Sequence, residues 1–450
     1  MSISFLGIEI GKRSLQANQA AINVTGNNIA NAATPGYSRQ EVLFDTAYAF
    51  PHTLLHGGDR VAYLGTGVNV DQIRRMRDEY IDGMIRNNLS ELSFSEGNSS
   101  ILSRVEALFL EPSENGLQGL LTEFWNSWQE LSVNPQDRGL RLNVREKASA
   151  LTDEVNLIYR ELGKTLDDLE SELEQRMRAI NELAGQLAQT NSAIKKSGKG
   201  DNNSLLDKRD QILEQLSQLV KIEVEKDASN SEVLHVRIGG QYLVEGEVAN
   251  QATSGWLAAD SGGIAGGLLA AREKVEGYRT DLENLAATLV QEVNAVHQDG
   301  VTASGATGVP FFRAPDFSPG ANLLGLSDEV LTDAGNIAAA LIPDAPGDGR
   351  NALAIAQLRD KVVGSLGSTF EGYYRDLLTK IGSDSRESAR QLSSRQLVGD
   401  ELSALRQSFS GVSLDEELAN MLQYQYAYQA SARLVSTVDE MLDTLINRIR

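Results

Sequence analysis

Apolar residues recur at helical spacing near both ends of this chain of 450 residues, and these two patterns constrain the fold more than any other feature. Over residues 3–33 they repeat at intervals of three, four and seven, which places them along one side of a helix. A second stripe of this kind runs from residue 414 to residue 449. A lone helix with one apolar side is marginal in water. We therefore expect the two terminal helices to pack on each other, on neighbouring copies of the chain, or on both.

Local signals mark the inner end of each terminal helix. Pro35 disfavours helical geometry at Thr34, and Gly36 suits the third position of a type II turn, so the first helix should stop here. Ser413 and Glu416 have the spacing of a capping box, in which each side chain accepts a hydrogen bond from the other residue's backbone N–H. We predict that the last helix begins at this box.

The middle of the chain predicts further helices and one small β-module. Residues 144–195 carry apolar side chains at helical spacing, and a helix of that length would extend roughly 75 Å. Alternating apolar residues at 221–226 and 233–245 predict strands, with Gly239 and Gly240 as a turn. The expected fold class is mainly α, with long terminal helices pairing as a coiled coil, an elongated helical-bundle body and a small inserted β-module, α+β overall.

These patterns divide the chain into seven segments. We expect residues 1–35 and 412–450 to form one assembly domain from the two terminal helices. The remaining segments are a helical body at 36–220, 267–299 and 351–411, the small β-module at 221–266, and a loop/β insertion at 300–350.

Composition argues against several classes of function. Lys and Arg number 41 and Asp and Glu number 62, a net charge of −21 with no basic cluster, so we expect no nucleic-acid partner. The absence of cysteine excludes thiolate metal sites and cysteine nucleophiles. No apolar stretch is long enough to cross a membrane, and no cleavable signal is recognisable. We expect no membrane partner.

Three short patterns carry weak catalytic or ligand signals. Ser192 and Lys195 match an S-x-x-K motif but lack its companion motifs. The glycines at 262–267 lack the ending of a phosphate-binding loop, and a tight turn into a helix explains them better. His52 and His56 stand four apart without the glutamate of a zinc-protease motif. We therefore expect no enzyme activity and no catalytic, cofactor or metal site.

The tyrosines of the last helix favour an interface. Tyr424 and Tyr428 are four residues apart and should flank one seam, whereas Tyr426 should face elsewhere and contact another subunit.

Residues 26–40, GNNIANAATPGYSRQ, resemble the N-terminal signature of the rod, hook and hook-associated axial proteins of bacterial flagella. Within this family, TPGYSRQ at 34–40 is similar to the form found in the first junction protein between hook and filament. Further stretches agree with that form: LLDKRD at 205–210, GDGRNAL at 347–353, SGVSLDEE at 410–417 and YQYAYQASA at 424–432.

The resemblance implies a structural component of the flagellum that self-assembles through its terminal helices into an adaptor collar between hook and filament. The partners it implies are other copies of the chain, the hook protein, the second junction protein (hook-associated protein 3) and an export chaperone on the C-terminal helix. It implies an extracellular location reached by the flagellar type III pathway without a cleaved signal. The alternatives are another axial protein, either hook or second junction protein, or a secreted coiled-coil effector.

We expect the assembly interface to combine the two apolar stripes with the asparagines of the signature. These residues are Ile3, Leu6, Ile10, Val24, Asn27, Asn28, Asn31, Leu418, Met421, Gln425, Tyr428, Val435, Leu442 and Ile449.

Overall fold

The computed structural model describes residues 3–53, 61–109, 116–197, 202–228, 230–318, 320–345 and 347–447. Helices dominate these residues. They are α1 (Ile3–Asn31), α2 (Glu79–Leu108), α3 (Leu117–Val133), α4 (Arg138–Ser197), α5 (Asn203–Leu219), α6 (Gly263–Asp299), α7 (Asp328–Thr332), α8 (Arg350–Ala356), α9 (Phe370–Ser410) and α10 (Leu414–Asn447). The expectation of a mainly α fold with a small β-module is confirmed.

Eight strands form three small antiparallel sheets among the described residues. The strands are β1 (Gln40–Thr46), β2 (Phe50–Thr53), β3 (Val61–Leu64), β4 (Val68–Arg75), β5 (Glu223–Lys226), β6 (Leu234–Ile238), β7 (Gln241–Glu245) and β8 (Val248–Ala249). β1 pairs with β4, β2 pairs with β3, and β5 to β8 follow one another in a four-stranded sheet. The chain divides into two compact units. Unit 1 comprises Met1–Ser90, Ile180–Ala252 and Gln396–Arg450, and unit 2 comprises Glu91–Ala179 and Thr253–Arg395.

The inner ends of the two terminal helices follow the sequence signals in part. After α1, the Tyr37 N–H donates to the Thr34 carbonyl at 3.2 Å and Gly36 has φ +78°, so the predicted turn is confirmed. At the start of α10 the capping box is only half formed. The Glu416 N–H lies 3.5 Å from Ser413 Oγ. The return half of the box is wrong, because the Glu416 carboxylate accepts instead from the charged guanidinium of Arg39, at 3.1 Å.

The β-module of unit 1 follows the predicted pattern. β6 buries alternate side chains, Leu234, Val236 and Ile238, as expected for a sheet with one face on a core. Gly239 and Gly240, with φ of +55° and +80°, make the turn to β7.

One part of the predicted helical body is not helical. Residues 40–75, inside the segment 36–220, contain the β1–β4 ribbon and the β2–β3 hairpin. The ribbon places Val42 in a small apolar cluster with Ala21 and Val24 of α1. Its alternation is short and its other face is polar, so the ribbon depends on α1 for its apolar cover and gives only a faint signal in the sequence.

Unit 2 is built on a large aromatic core. Trp125, Trp128 and Phe124 of α3 are fully buried, and the Phe124 ring centroid lies 4.8 Å from that of Trp125. The insertion predicted at 300–350 brings Phe311 and Phe312 into this core and has isolated β-bridges and short helices, without a sheet among its described residues.

The glycine-rich segment 262–267 packs closely against α2. Gly262 and Gly263 have φ of +61° and +60° where α6 begins. A Cβ on Gly267 would lie 2.1 Å from the Phe94 carbonyl oxygen. The interpretation as a tight turn into a helix is confirmed, and the close approach explains why a larger residue would not fit.

Candidate assembly site: the terminal helix pair and its polar base

α1 and α10 pack side by side in opposite directions. Gly7, near the start of α1, faces Val438 near the end of α10, with a Cβ built on Gly7 falling 3.1 Å from Val438 Cγ2. Asn28, near the end of α1, bonds Glu417 near the start of α10. The two terminal stripes therefore meet within one chain, which is one of the arrangements that their pattern allowed.

Small residues on α1 bring the two helices close together. A Cβ on Gly11 would lie only 2.5 Å from Val435 Cγ2, closer than real Cβ atoms come. Three turns further along α1, Ala21 packs against Tyr424 of α10. Between them the Ser14 and Ser431 hydroxyls share a hydrogen bond of 2.6 Å. Close packing of small residues against larger ones thus replaces an ordinary leucine seam.

The β1–β4 ribbon lies against this pair. Ile73 of β4 and Tyr424 pack on the cluster of Ala21, Val24 and Val42. The rings of Phe44 and Tyr424 meet edge to face with centroids 6.3 Å apart. The ribbon thus gives one side of the helix pair an apolar cover within the chain.

Asn28 lies at the base of the pair, where the helices meet the ribbon, and is 1% exposed. Its Nδ2 donates to the Gln40 carbonyl at 2.8 Å and to Glu417 Oε2 at 2.9 Å. Its Oδ1 accepts from the Gln40 N–H at 3.0 Å and from the Tyr37 hydroxyl at 2.8 Å. Two donated and two accepted bonds use the full capacity of a primary amide.

Glu417 is 2% exposed and is satisfied from two sides. Arg39 Nε donates to its Oε1 at 2.8 Å, and Asn28 donates to its Oε2. The Arg39 backbone N–H also donates to the Ser410 carbonyl at 3.2 Å. Burial, together with the nearby carboxylates of Asp207 and Glu417, raises the pKa of Tyr37 to about 12, so this phenol stays protonated as a donor.

A second polar group joins the same base to α5. Ser38 Oγ donates to Asp207 Oδ1 at 2.7 Å, and Arg75 Nη1 donates to Asp207 at 2.8 Å and to Asp210 at 2.9 Å. The Arg77 guanidinium donates two hydrogen bonds to the Asp82 carboxylate, from Nε at 2.8 Å and from Nη2 at 3.0 Å. Burial raises the pKa of Asp210, but the surrounding arginines outweigh it and the pKa of this carboxyl is lowered overall.

We call Asn28, Arg39 and Glu417, together with Gln40 and the neighbouring pair of Ser38 and Asp207, the polar base. It brings together 26–40, 205–210 and 410–417, three of the stretches on which the resemblance rests. Of these residues, only Asn28 is predicted from the sequence as a site residue; Glu417, Arg39 and Asp207 are not. The signal that could have found them is the presence of acidic and basic residues within these stretches, although a single sequence does not pair them.

The expected interface residues fall into several groups. Val24 and Asn28 are buried inside the chain, and the half-buried ones are Leu6, Ile10, Asn31, Met421, Tyr428, Val435 and Leu442. Those that are exposed are Asn27, Leu418 and Gln425. Ile3 lies in α1 with its side chain outside the description, and Ile449 lies outside the described residues.

A line of large apolar side chains runs along the outward side of α10, and we call it the outward stripe. Its members recur every four residues and are between 51% and 69% exposed: Leu414, Leu418, Leu422 and Tyr426. Leu434 and Met441 are also exposed, but they point to a different side of the helix. Tyr426 faces away from the seam, whereas Tyr424 and Tyr428 are half-buried, as the spacing of the tyrosines predicts.

The alternative chemical sites gain no support. Lys195 Nζ bonds the Glu247 carboxylate, which raises the pKa of the lysine, and a protonated lysine cannot take a proton from Ser192. His52 lies in β2, and His56 lies outside the described residues. Across the described ranges, no three His, Asp or Glu side chains group as metal ligands. Within those same ranges, no helix is long and apolar enough to cross a membrane.

Comparison with known proteins identifies the class first. A family model described as flagella basal body rod protein matches residues 8–37, and one described as flagellar basal body rod FlgEFG protein C-terminal matches residues 406–448. These two segments contain most of α1 and α10, so the paired ends are those of a flagellar axial protein. A third model, flagellar hook-associated protein FlgK helical domain, matches residues 102–312.

Relatives identify the family within this class. Flagellar hook-associated protein 1 of Bacillus subtilis is 31% identical over 504 aligned residues, which cover 99% of each chain. Its counterpart from Escherichia coli is 25% identical, covering 96% of this chain and 98% of its own. The flagellar hook junction protein FlgK from Burkholderia pseudomallei shares the fold, with a TM-score of 0.64, 16% identity, and coverage of 73% of this chain and 100% of that one. The chain belongs to the flagellar hook-associated protein 1 family.

Proposed function

We propose that this chain is a structural subunit of the junction between flagellar hook and filament, and that copies associate through the α1–α10 pair. Membership of the hook-associated protein 1 family supports the junction role. The observation that carries the assembly role is the outward stripe, because monomers seldom leave such a row of large apolar side chains uncovered.

A second copy of the chain is the occupant that we propose for the outward stripe. Ile8, Leu15, Ile22 and Ile29 of α1 form a heptad-spaced line that is only half-buried. This line offers an apolar surface on every copy, against which the α10 of a neighbour can pack. Such a contact joins two different surfaces, so it repeats head to tail and builds a ring or helical array rather than a closed pair.

The remaining assignments follow from the same role. The hook protein and the second junction protein, hook-associated protein 3, would bind on the two sides of the collar, and a chaperone would hold the C-terminal helix before export by the flagellar type III pathway. We keep the division into an assembly domain at 1–35 and 412–450, a helical body and a β-module as part of this proposal. No catalytic, cofactor or metal role is included.

Leu418→Asp tests the assembly role. A carboxylate placed between packed subunits would be desolvated without a partner, so junction formation should be lost. Because Leu418 is half exposed in the chain, the thermal melting of the free protein should change by less than about 2 °C. The measurements are filament growth on hooks in cells that lack the native protein and a melting curve of the purified variant.

Gln423→Asp is the matched control, since Gln423 is exposed on the same helix and points about 140° round the helix axis from Leu418. Normal junctions in the Leu418→Asp strain would contradict the proposal. Antibody labelling of detached flagella distinguishes the junction from the other axial positions, which the hook-associated relatives do not favour.

A further inference from the structure

A small cavity of about 150 Å³ in unit 1 lies between α2 and the segment that leads from α5 into β5, and we call it the Arg86 cavity. Four residues of α2 line it at positions i, i+3, i+4 and i+7, on one face of the helix: Gly83, Arg86, Asn87 and Ser90. Ser217 of α5 and Lys221 line it as well. The described residues around this cavity thus include two cations and no carboxylate, although the chain has a net charge of −21.

Arg86 is half-buried, and the chain gives its guanidinium no partner. Over the described ranges, every other buried or half-buried Lys or Arg donates a hydrogen bond or forms an ion pair. Asp82, one turn before Arg86 on α2, bonds Arg77 instead. Since a partly desolvated cation gains from an acceptor, the donors of Arg86 suit an anion that enters the cavity.

Gly83 leaves open space beside this guanidinium. Outside the backbone of α2, the nearest atom that a Cβ built on Gly83 would meet is Arg86 Nη2, at 3.9 Å. A glycine inside a helix costs about 0.5–1 kcal/mol relative to alanine. A longer side chain at this position would extend into the cavity without a clash at its Cβ.

We propose that the Arg86 cavity binds a small tetrahedral oxyanion of the phosphate or sulfate class. Arg86 is the main donor, because a planar guanidinium offers parallel N–H groups to two oxygens of such an anion. Lys221 adds a second positive charge, and the Asn87 amide can donate to a further oxygen. The bound anion joins α2 to the start of the β-module. This inference does not depend on assembly, so its failure would leave the junction role standing.

Isothermal titration calorimetry of the full chain with inorganic phosphate tests the site, with ionic strength held constant by chloride so that screening does not change. Arg86→Gln should weaken phosphate binding about tenfold, because it removes charge-assisted hydrogen bonds. Lys221→Gln should weaken it about threefold, since Lys221 is exposed and its charge is better screened.

Lys208→Gln is the matched control, because it makes the same change of charge at an exposed residue of α5 that points about 180° round the helix axis from Ser217. Its affinity for phosphate should equal that of the unaltered chain. Gly83→Leu is a second test variant, which keeps both cations and fills the cavity, so phosphate binding should be lost. Leucine favours a helix, and circular dichroism should show the helix content unchanged.

Four outcomes would overturn the proposal. Undetectable binding of phosphate to the unaltered chain would mean that the cavity holds no anion. Equal affinity in Arg86→Gln and in the unaltered chain would place the bound phosphate elsewhere. An equal loss in Lys208→Gln and Arg86→Gln would mean that phosphate responds only to net charge. Acetate binding as tightly as phosphate would show that the cavity does not select a tetrahedral anion.

Discussion

At the scale of single residues, His297 shows how burial sets a charge state. It is 0% exposed in unit 2, with Nδ1–H donating to the Val309 carbonyl at 2.7 Å and Nε2 accepting from the Ala338 N–H at 2.9 Å. These two partners define one neutral tautomer. Burial lowers the pKa of His297 to about 4.

The lowered pKa predicts an acid-sensitive unit 2. Between pH 6.5, the usual pKa, and about pH 4, the unfolded chain binds a proton that the folded chain does not. The free energy of unfolding should therefore decrease as the pH is lowered through this window, by about 1.4 kcal/mol per pH unit from this group. Urea unfolding followed by tryptophan fluorescence would measure it, since all three tryptophans lie in unit 2. An equal slope in His297→Gln would contradict the assignment.

Roles of single residues were the hardest to predict from the sequence. Glu417 lies in the acidic first turn of α10, where the ordinary interpretation is a solvated carboxylate at the positive end of the helix dipole. Its burial depends on Asn28 and Arg39, which lie nearly four hundred positions earlier in the chain. Contacts of that sequence separation leave no local pattern.

At the scale of elements, α1 can approach α10 closely because of Gly11. Gly11→Ala would place its Cβ 2.5 Å from Val435 Cγ2, so we expect the pair to loosen by about 1 kcal/mol or more. Hydrogen exchange of the α1 and α10 amides should speed up accordingly. Gly26→Ala is the control, because its Cβ would make an ordinary contact of 3.8 Å with Met421 and should stabilise α1 by about 0.5–1 kcal/mol. Equal exchange in the two variants would contradict the close-packing argument.

Elements with a strong period were predicted well. The terminal helices, the helix found at Arg138–Ser197 and the β5–β7 strands follow patterns of 3.6 or 2 residues over enough length to be recognised. The ribbon of β1 and β4 was missed because its apolar face packs on α1 and the rest of it is polar.

At the scale of the whole molecule, the two units predict different responses to truncation. Deleting residues 413–450 removes α10 from unit 1 and leaves the aromatic core of unit 2 complete. We expect the shortened chain to retain the fluorescence transition of unit 2 and to form no junctions on hooks. Motile filaments built from this truncation would reject the assembly role of the C-terminal helix.

The family could be recognised from sequence because the stretches at 26–40, 205–210 and 410–417 occur together in order. The sequence did not predict that these stretches contact one another, because the hydrogen bonds that join them in the polar base form only in the folded chain. The division into two units could not be predicted from the sequence either, since each unit combines segments that are far apart along the chain.

The polar base draws Gln40 from the beginning of the chain, Asp207 from the middle and Glu417 from near the end. A polypeptide released early from the ribosome, before residue 417, has no carboxylate to offer Asn28 and no second helix to lie beside the first. Such a fragment carries the family's opening signature and still lacks a finished end with which to join its neighbours. The buried site therefore forms only in a chain that reaches Glu417, and the paired helices that we propose for assembly depend on both ends of the polypeptide.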